Sequence, residues 1–270
     1  MSETLLARAP TEPGRINADH VWPDRSARFY ARALDISDYG AAIARVMSGH
    51  GAENCAPPES LLDIGAGAGH PVREWLPLAS SWTALEPNRY LRARLGRLAR
   101  TQARPLAAHD GLWQDLAGLA VGPHAMAWAA NIGATQTHPQ ALLSLMRSHA
   151  RERVVWLVPA QRGPKRWCLA GALPPALLGE SERPGVELVL EALGRSHAPH
   201  RIHVAHWQFA ARFASLALAT EYCVGQVAHQ SGASRHAAIA EHLAATAHRL
   251  PDGVVELRAP KHSALLIWDV

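Results

Sequence analysis

Residues Leu61-Leu62-Asp63-Ile64-Gly65-Ala66-Gly67-Ala68-Gly69 constrain the fold more than any other stretch of the chain. A short apolar run ends in a carboxylate and passes into glycines at every second position, the pattern of a buried strand entering a nucleotide-binding turn. Glycine there permits positive φ and lets a ligand approach where a Cβ would collide, and the helix that follows presents unpaired N–H groups. Seventeen residues beyond Gly69, Trp82-Thr83-Ala84-Leu85-Glu86 reads as a second strand with a carboxylate at its C-terminal end. A carboxylate so placed can accept hydrogen bonds from both hydroxyls of a ribose.

Spacing decides which nucleoside. A dinucleotide fingerprint counted from Gly65 needs its third glycine at position 70, which is His70, and no Gly-Lys-Ser/Thr follows to make an NTP-binding loop. The remaining pattern, Asp63-x-Gly65-x-Gly67-x-Gly69 with Glu86 downstream, resembles motif I and the second-strand acid of class I S-adenosylmethionine-dependent methyltransferases. The resemblance covers residues 59 to 160 well and the C-terminal segment moderately. It implies an α/β fold with a Rossmann-like seven-stranded sheet closed by a terminal antiparallel hairpin, and S-adenosylmethionine as cofactor.

Composition agrees with one large α/β unit. The 270 residues are 48% hydrophobic, enough for a sizeable core. The net charge is only +4, and the basic side chains are nearly all arginine, Lys165 and Lys261 being the two lysines. Arg92, Arg94, Arg97 and Arg100 spread around a helix, which reads as a solvated face more than a nucleic-acid platform. Cys55, Cys168 and Cys223 show no C-x-x-C pair, so neither a zinc site nor a disulfide framework is expected. The polar N-terminus lacks the apolar stretch of a signal peptide, and no run is long enough to span a bilayer. A soluble cytoplasmic protein with a small-molecule acceptor is the expectation; the oligomeric state is not legible.

Along the chain, residues 1–58 read as a tail followed by a helical lid, with helices from Asp24 to about Leu34 and from Ser37 or Asp38 to Met47. Residues 59–270 read as the methyltransferase domain. Its strands are expected at 61–64, 82–86, 105–107, 125–130 and 153–158, with helices at about 70–78, 88–100 and 139–150. Val254–Leu257 and Ala264–Trp268, flanking Pro260-Lys261-His262, read as the terminal hairpin. A helix over about 233–249 supplies the last crossover. That leaves 161–230 as an insertion after strand 5, with a strand-like run at 201–209, on the side where such insertions wall the substrate pocket.

Roles follow from the resemblance residue by residue. Gly65, Gly67 and Gly69 match the glycines under the methionine and ribose, and Asp63 the acid that orients the turn and the methionine amine. Glu86 matches the ribose acceptor. Asp110, with Gly111, matches the acid that takes the adenine amino group, with Leu112 and Trp113 able to cover the ring. Asn131 matches the residue whose carbonyl meets the methionine ammonium. Among sixteen histidines, His109, His138 and His206 lie where they should face the strand ends, and His138, closing the loop after strand 4, is the preferred candidate base, although displacement at a sulfonium needs alignment more than acid–base help. Trp22, Tyr30, Trp167 and Trp207 are candidates to wall the acceptor.

Negative signals narrow the chemistry. The exit of strand 4 reads Asn131-Ile132-Gly133-Ala134 in place of the Asn/Asp-Pro-Pro-aromatic tetrad of exocyclic base-amine methylation, and no cysteine follows a proline as cytosine C5 methylation needs. His197, His200, His203 and His206 recur at intervals of three, which in a strand throws successive rings to opposite faces, so no metal site is expected. The leading reading is methylation of an O, N or S nucleophile on a small molecule, in secondary metabolism. RNA or ribosomal-component methylation and a non-catalytic S-adenosylmethionine-binding role are the alternatives.

Overall fold

A computed structural model describes residues 21–49, 57–132, 138–163, 168–178, 182–227 and 233–270. The expected N-terminal tail up to residue 20, and Cys55, lie outside the described residues. The centre is an eight-stranded sheet of β1 (Ser60–Ile64), β2 (Ser81–Leu85), β3 (Leu106–His109), β4 (His124–Ala130), β5 (Ala150–Pro159), β6 (Arg201–Phe213), β7 (His248–Arg249) and β8 (Val255–Asp269). The order is β3-β2-β1-β4-β5-β8-β6, and the two-residue β7 pairs with β8. Strands β1 to β5 are parallel, and β8 runs antiparallel to both β5 and β6. The fold is thus Rossmann-like and mostly parallel with antiparallel C-terminal strands, as the sequence pattern implies.

Helices cover both faces, so the central strands are largely apolar; Ala125 to Ala129 of β4 are all buried. One face carries α1 (Asp24–Asp35), α2 (Tyr39–Ser48), α3 (Val72–Trp75), α4 (Arg89–Gln102), α8 (Leu216–Gln226) and α9 (Ala233–Thr246). The other carries a 3-10 turn at Trp113–Gly118, α5 (Pro139–Ser148) and α7 (Gly185–Leu193). A short α6 (Pro175–Leu178) lies between β5 and α7. The chain therefore changes faces between β1 and β4, and a crevice opens at such a switch point beyond the strand ends.

Three local expectations are corrected. The helix expected at 70–78 is the single turn Val72–Trp75, because Pro71 stands at its start and Pro77 two residues past its end. The terminal hairpin is absent from 254–268; Val255 to Asp269 is one continuous strand, β8, and the run at 201–209 belongs to β6, which pairs with β8 from Arg201 to Phe213 as a strand of the main sheet. Pro260 sits in mid-strand without losing a ladder bond. Its partner Gln208 donates its N–H outward to Asp38, at 2.6 Å, so the nitrogen of Pro260 faces the side where β5 has already ended at Pro159. The segment 161–230 also divides differently: α7 is the crossover between β5 and β6, while α8 and α9 lead from β6 towards β8.

One consequence of the long pair is geometric. Residues 206–213 and 255–262 continue past the end of β5 as a two-stranded ribbon about 25 Å long, rising beside the crevice. The helices α1 and α2 dock on the ribbon and the sheet through Leu34, Tyr39, Ile43 and Met47, so the lid is continuous with the main core.

Candidate active site

The glycine turn separates into three jobs. Gly65 and Ala66 donate their N–H groups to the carbonyl of Leu85, at 2.8 and 3.1 Å, which locks the turn to the end of β2. All three glycines have positive φ, +70°, +58° and +86° in order. A Cβ on Gly65 would run into Ile132, and one on Gly69 would meet Trp82 at 3.0 Å and Leu95 and Leu98 at 3.2 Å, so these two allow close approach within the protein. Gly67 is different. No described residue lies within 4 Å of the position its Cβ would take. Gly163, Gly194 and Gly253 share that combination of positive φ and open space, and what sets Gly67 apart is that its N–H is bonded to the buried Glu86, so that space over it can admit a ligand to a fixed carboxylate.

Two buried carboxylates face this turn. Glu86, 6% exposed, accepts through Oε2 from the N–H of Gly67 and through Oε1 from the N–H of Asn88, each at 2.8 Å. Burial raises its pKa while the two backbone donors oppose the rise. Asp63, 2% exposed, accepts from the indole N–H of Trp82 at 3.2 Å. Burial pushes its pKa up to about 8; the indole bond opposes the shift and the charge of Glu86 adds to it. Near neutrality Asp63 is held mostly protonated, a state that a cationic group beside it would reverse.

The remaining sequence candidates fall at neighbouring strand ends. Asp110, just past β3, is 70% exposed and meets Arg92 in a bidentate pair, both contacts at 2.8 Å. Arg92 also donates to the carbonyls of Glu86 and Pro87, tying the β2 and β3 exits together. Gly111 has φ +152°, and Leu112 donates its N–H to Asp115 at 2.7 Å as the 3-10 turn begins. Asn131, past β4, has φ +53° and donates from its side chain to the hydroxyl of Tyr39 at 3.0 Å.

An aromatic wall of packed rings, with Tyr39, Trp207 and Phe209 buried in the main core, stands on the ribbon side. Trp22 packs edge-on against Tyr30 at 4.7 Å, Tyr30 stacks on Phe209 at 6.2 Å, and Tyr39 lies 4.4 Å from Trp207, whose indole donates to Ser263 at 3.1 Å. Trp22, Tyr30 and Trp207 are thus brought together; Trp167 lies outside the described residues. His138 is not part of this group. It begins α5, exposed, with its ring 6.3 Å from Trp113, which packs into the core of the opposite face. His203 and His206 lie on opposite faces of β6, and among the described residues no three His, Cys, Asp or Glu side chains gather as a metal site. No helix among the described residues is long and apolar enough to cross a membrane.

Sequence reasoning missed Tyr39 and Asn88. Asn88 had a signal, since an Asn two residues after the strand-end acid and before a helix is a natural cap. Tyr39 had none, because its role depends on the ribbon.

No protein-family model and no curated protein matches the chain. Solved structures share its path at low identity. The plantazolicin methyltransferase BamL, solved with a triazolic desmethylPZN analogue and SAH, is 10% identical, with 90% of this chain and 91% of that one covered at a TM-score of 0.45. The geranyl diphosphate C-methyltransferase of Streptomyces coelicolor A3(2), solved with Mg2+, geranyl diphosphate and S-adenosyl-L-homocysteine, is 12% identical over 85% of this chain and 77% of that one, TM-score 0.45. The YcgJ protein of Bacillus subtilis is 12% identical over 87% and 98%, TM-score 0.45. The likeness is one of chain path. What the site can do rests on its own residues.

Proposed function

We propose that the chain is a methyltransferase that binds S-adenosylmethionine at the β1, β2 and β4 strand ends and methylates an O, N or S nucleophile of a small molecule. The observation that carries this reading is Gly67: left-handed, with no described residue within 4 Å above it, and hydrogen-bonded to the buried Glu86. A carboxylate fixed there accepts ribose hydroxyls, while the absence of a third glycine at position 70 disfavours a pyrophosphate.

When bound, the cofactor supplies an electrophilic methyl group on a sulfonium, whose departure needs no acid. The chain's residues do the rest. Glu86 holds the ribose and Asp110 the adenine amino group; Asp63 and the Asn131 carbonyl take the methionine ammonium. Tyr39, Trp207, Tyr30 and Trp22 close the acceptor side against water and align the nucleophile, which is where most of the rate enhancement of an in-line displacement lies. We assign the acceptor's proton to no side chain, since His138 stands with Trp113.

The acceptor we favour is a small molecule of the kind secondary metabolism supplies, met in the cytoplasm. An RNA acceptor would need an open basic track, and two arginines of the α4 cluster are instead neutralised within the protein, Arg92 by Asp110 and Arg94 by Asp35. Calorimetry with S-adenosylhomocysteine tests the reading. Wild type should bind, Gly67→Val should not, and Glu86→Ala should lose roughly 1–3 kcal/mol through its charge-assisted bonds. Tight NAD binding with no affinity for either sulfur nucleoside would end it.

A further inference from the structure

Asn88 is almost fully buried, 3% exposed, and every polar group it carries toward its neighbours is in use. Its Oδ1 accepts from the N–H of Leu91 at 3.0 Å, capping α4. Its Nδ2 donates to the carbonyl of Trp22 at 2.7 Å and to Asp24 Oδ1 at 3.2 Å, the residues at which the lid helix α1 begins. Its backbone N–H donates to Glu86, whose other oxygen takes the N–H of Gly67. One residue therefore joins the start of the lid to the strand-end acid and, through it, to the glycine turn.

The joint matters because it gives direction to a helix end otherwise held by packing. There α1 rests on the glycine turn and α4 through Ala27 and Ala31 against Ala68 and Leu91, with Arg28 over the Tyr90 ring at 4.3 Å, and Phe29 packs on Phe213 and Tyr222. A carbonyl and a carboxylate gripped by one amide fix the orientation of such a helix more sharply than non-directional packing does. From Trp22 the chain of contact continues to Tyr30 and Phe209, so a shift at Asn88 is felt in the aromatic wall.

Resting on the cofactor reading above, we propose that Asn88 is a positioning residue coupling nucleoside capture at Glu86 to docking of the lid helix. Drawing Glu86 towards a ribose pulls on the backbone of Asn88, and the same residue's carboxamide fixes where Trp22 and Asp24 sit. Occupancy of the ribose site and closure of the lid then stabilise one another, a coupling that is reciprocal by linkage.

The test uses S-adenosylhomocysteine with the full chain and Asn88→Ser, whose hydroxyl keeps the helix cap but is too short to replace the carboxamide bonds to Trp22 and Asp24. Affinity is read by calorimetry and lid docking by hydrogen exchange of the α1 amides with and without the nucleoside. In the wild type the nucleoside should slow exchange across α1. In Asn88→Ser affinity should fall roughly tenfold, and the nucleoside should no longer protect α1 while still protecting the glycine turn. A merely structural role would lower the melting temperature and leave the ligand-dependent protection of α1 in place. Unchanged affinity, or protection of α1 equal to wild type in the variant, overturns the inference. A wild type that does not bind the nucleoside at all overturns the cofactor reading instead, and this one with it.

Discussion

Replacing Asp63 with asparagine should make the protein more stable, by an amount that grows with pH. The native carboxyl titrates at about 8 because it is buried, against the charge of Glu86, with only the Trp82 indole favouring ionisation. In the unfolded chain it titrates at about 3.9, so between these values the native state holds a proton that the unfolded state has released. Stability from this group is complete below the unfolded value and is lost as pH rises towards about 8, at about 1.4 kcal/mol per unit. From pH 5 to pH 7 the loss is about 3 kcal/mol. The carboxamide of Asp63→Asn has no proton to hold and can still accept the Trp82 bond. Glu86, also raised by burial, pulls the same way, and His70, lowered by burial, pulls the other way, but both remain in the variant. Urea unfolding of both proteins at pH 5, 6, 7 and 8 isolates Asp63 as a difference. The variant's advantage should widen steadily and level off above pH 8; a difference that is flat across this range, or that narrows, refutes the assignment of a buried protonated carboxyl.

Gly69→Ala should destabilise by about 2–3 kcal/mol, read by urea midpoint, since it combines φ +86° with contacts at 3.0 to 3.2 Å against Trp82, Leu95 and Leu98. Gly67→Ala, with open space above it, should cost only about 1 kcal/mol of backbone strain, yet lose S-adenosylhomocysteine binding. Asp110→Ala should change stability by less than about 1 kcal/mol, because its pair with Arg92 is exposed, while weakening nucleoside binding several-fold by calorimetry. RNA affinity measured at two salt concentrations should be weak and shallow; a slope of several units, reduced by Arg97→Ala, contradicts the small-molecule assignment.

The parts of this architecture that sequence reveals are those where local chemistry and fold agree. Asp63 to Gly69 and Glu86 announce themselves because a positive-φ turn and a strand-end acid each need particular residue types. The antiparallel end of the sheet was legible as an event but not in its pairing. Pro260-Lys261-His262 carries a turn signal, and only the ending of β5 at Pro159 frees β8 to run through it. Residues 201–209 look like an edge strand because Ile202, Val204 and His206 alternate with buried positions; that they belong to the main sheet depends on a partner more than fifty residues away. The aromatic wall is less legible still. Trp22, Tyr30, Trp207 and the strand ending at Phe209 stand out as large rings near seams, but Tyr39 joins them only through the ribbon, which no periodicity encodes.

A crystal structure with S-adenosylhomocysteine bound tests the central claim most directly. Both ribose hydroxyls should lie about 3 Å from Glu86, with the nucleoside over Gly67 and the sulfur turned towards Tyr39 and Trp207, a closed space beyond it. A nucleoside seated elsewhere, with Glu86 still bonded only to Gly67 and Asn88, would contradict it.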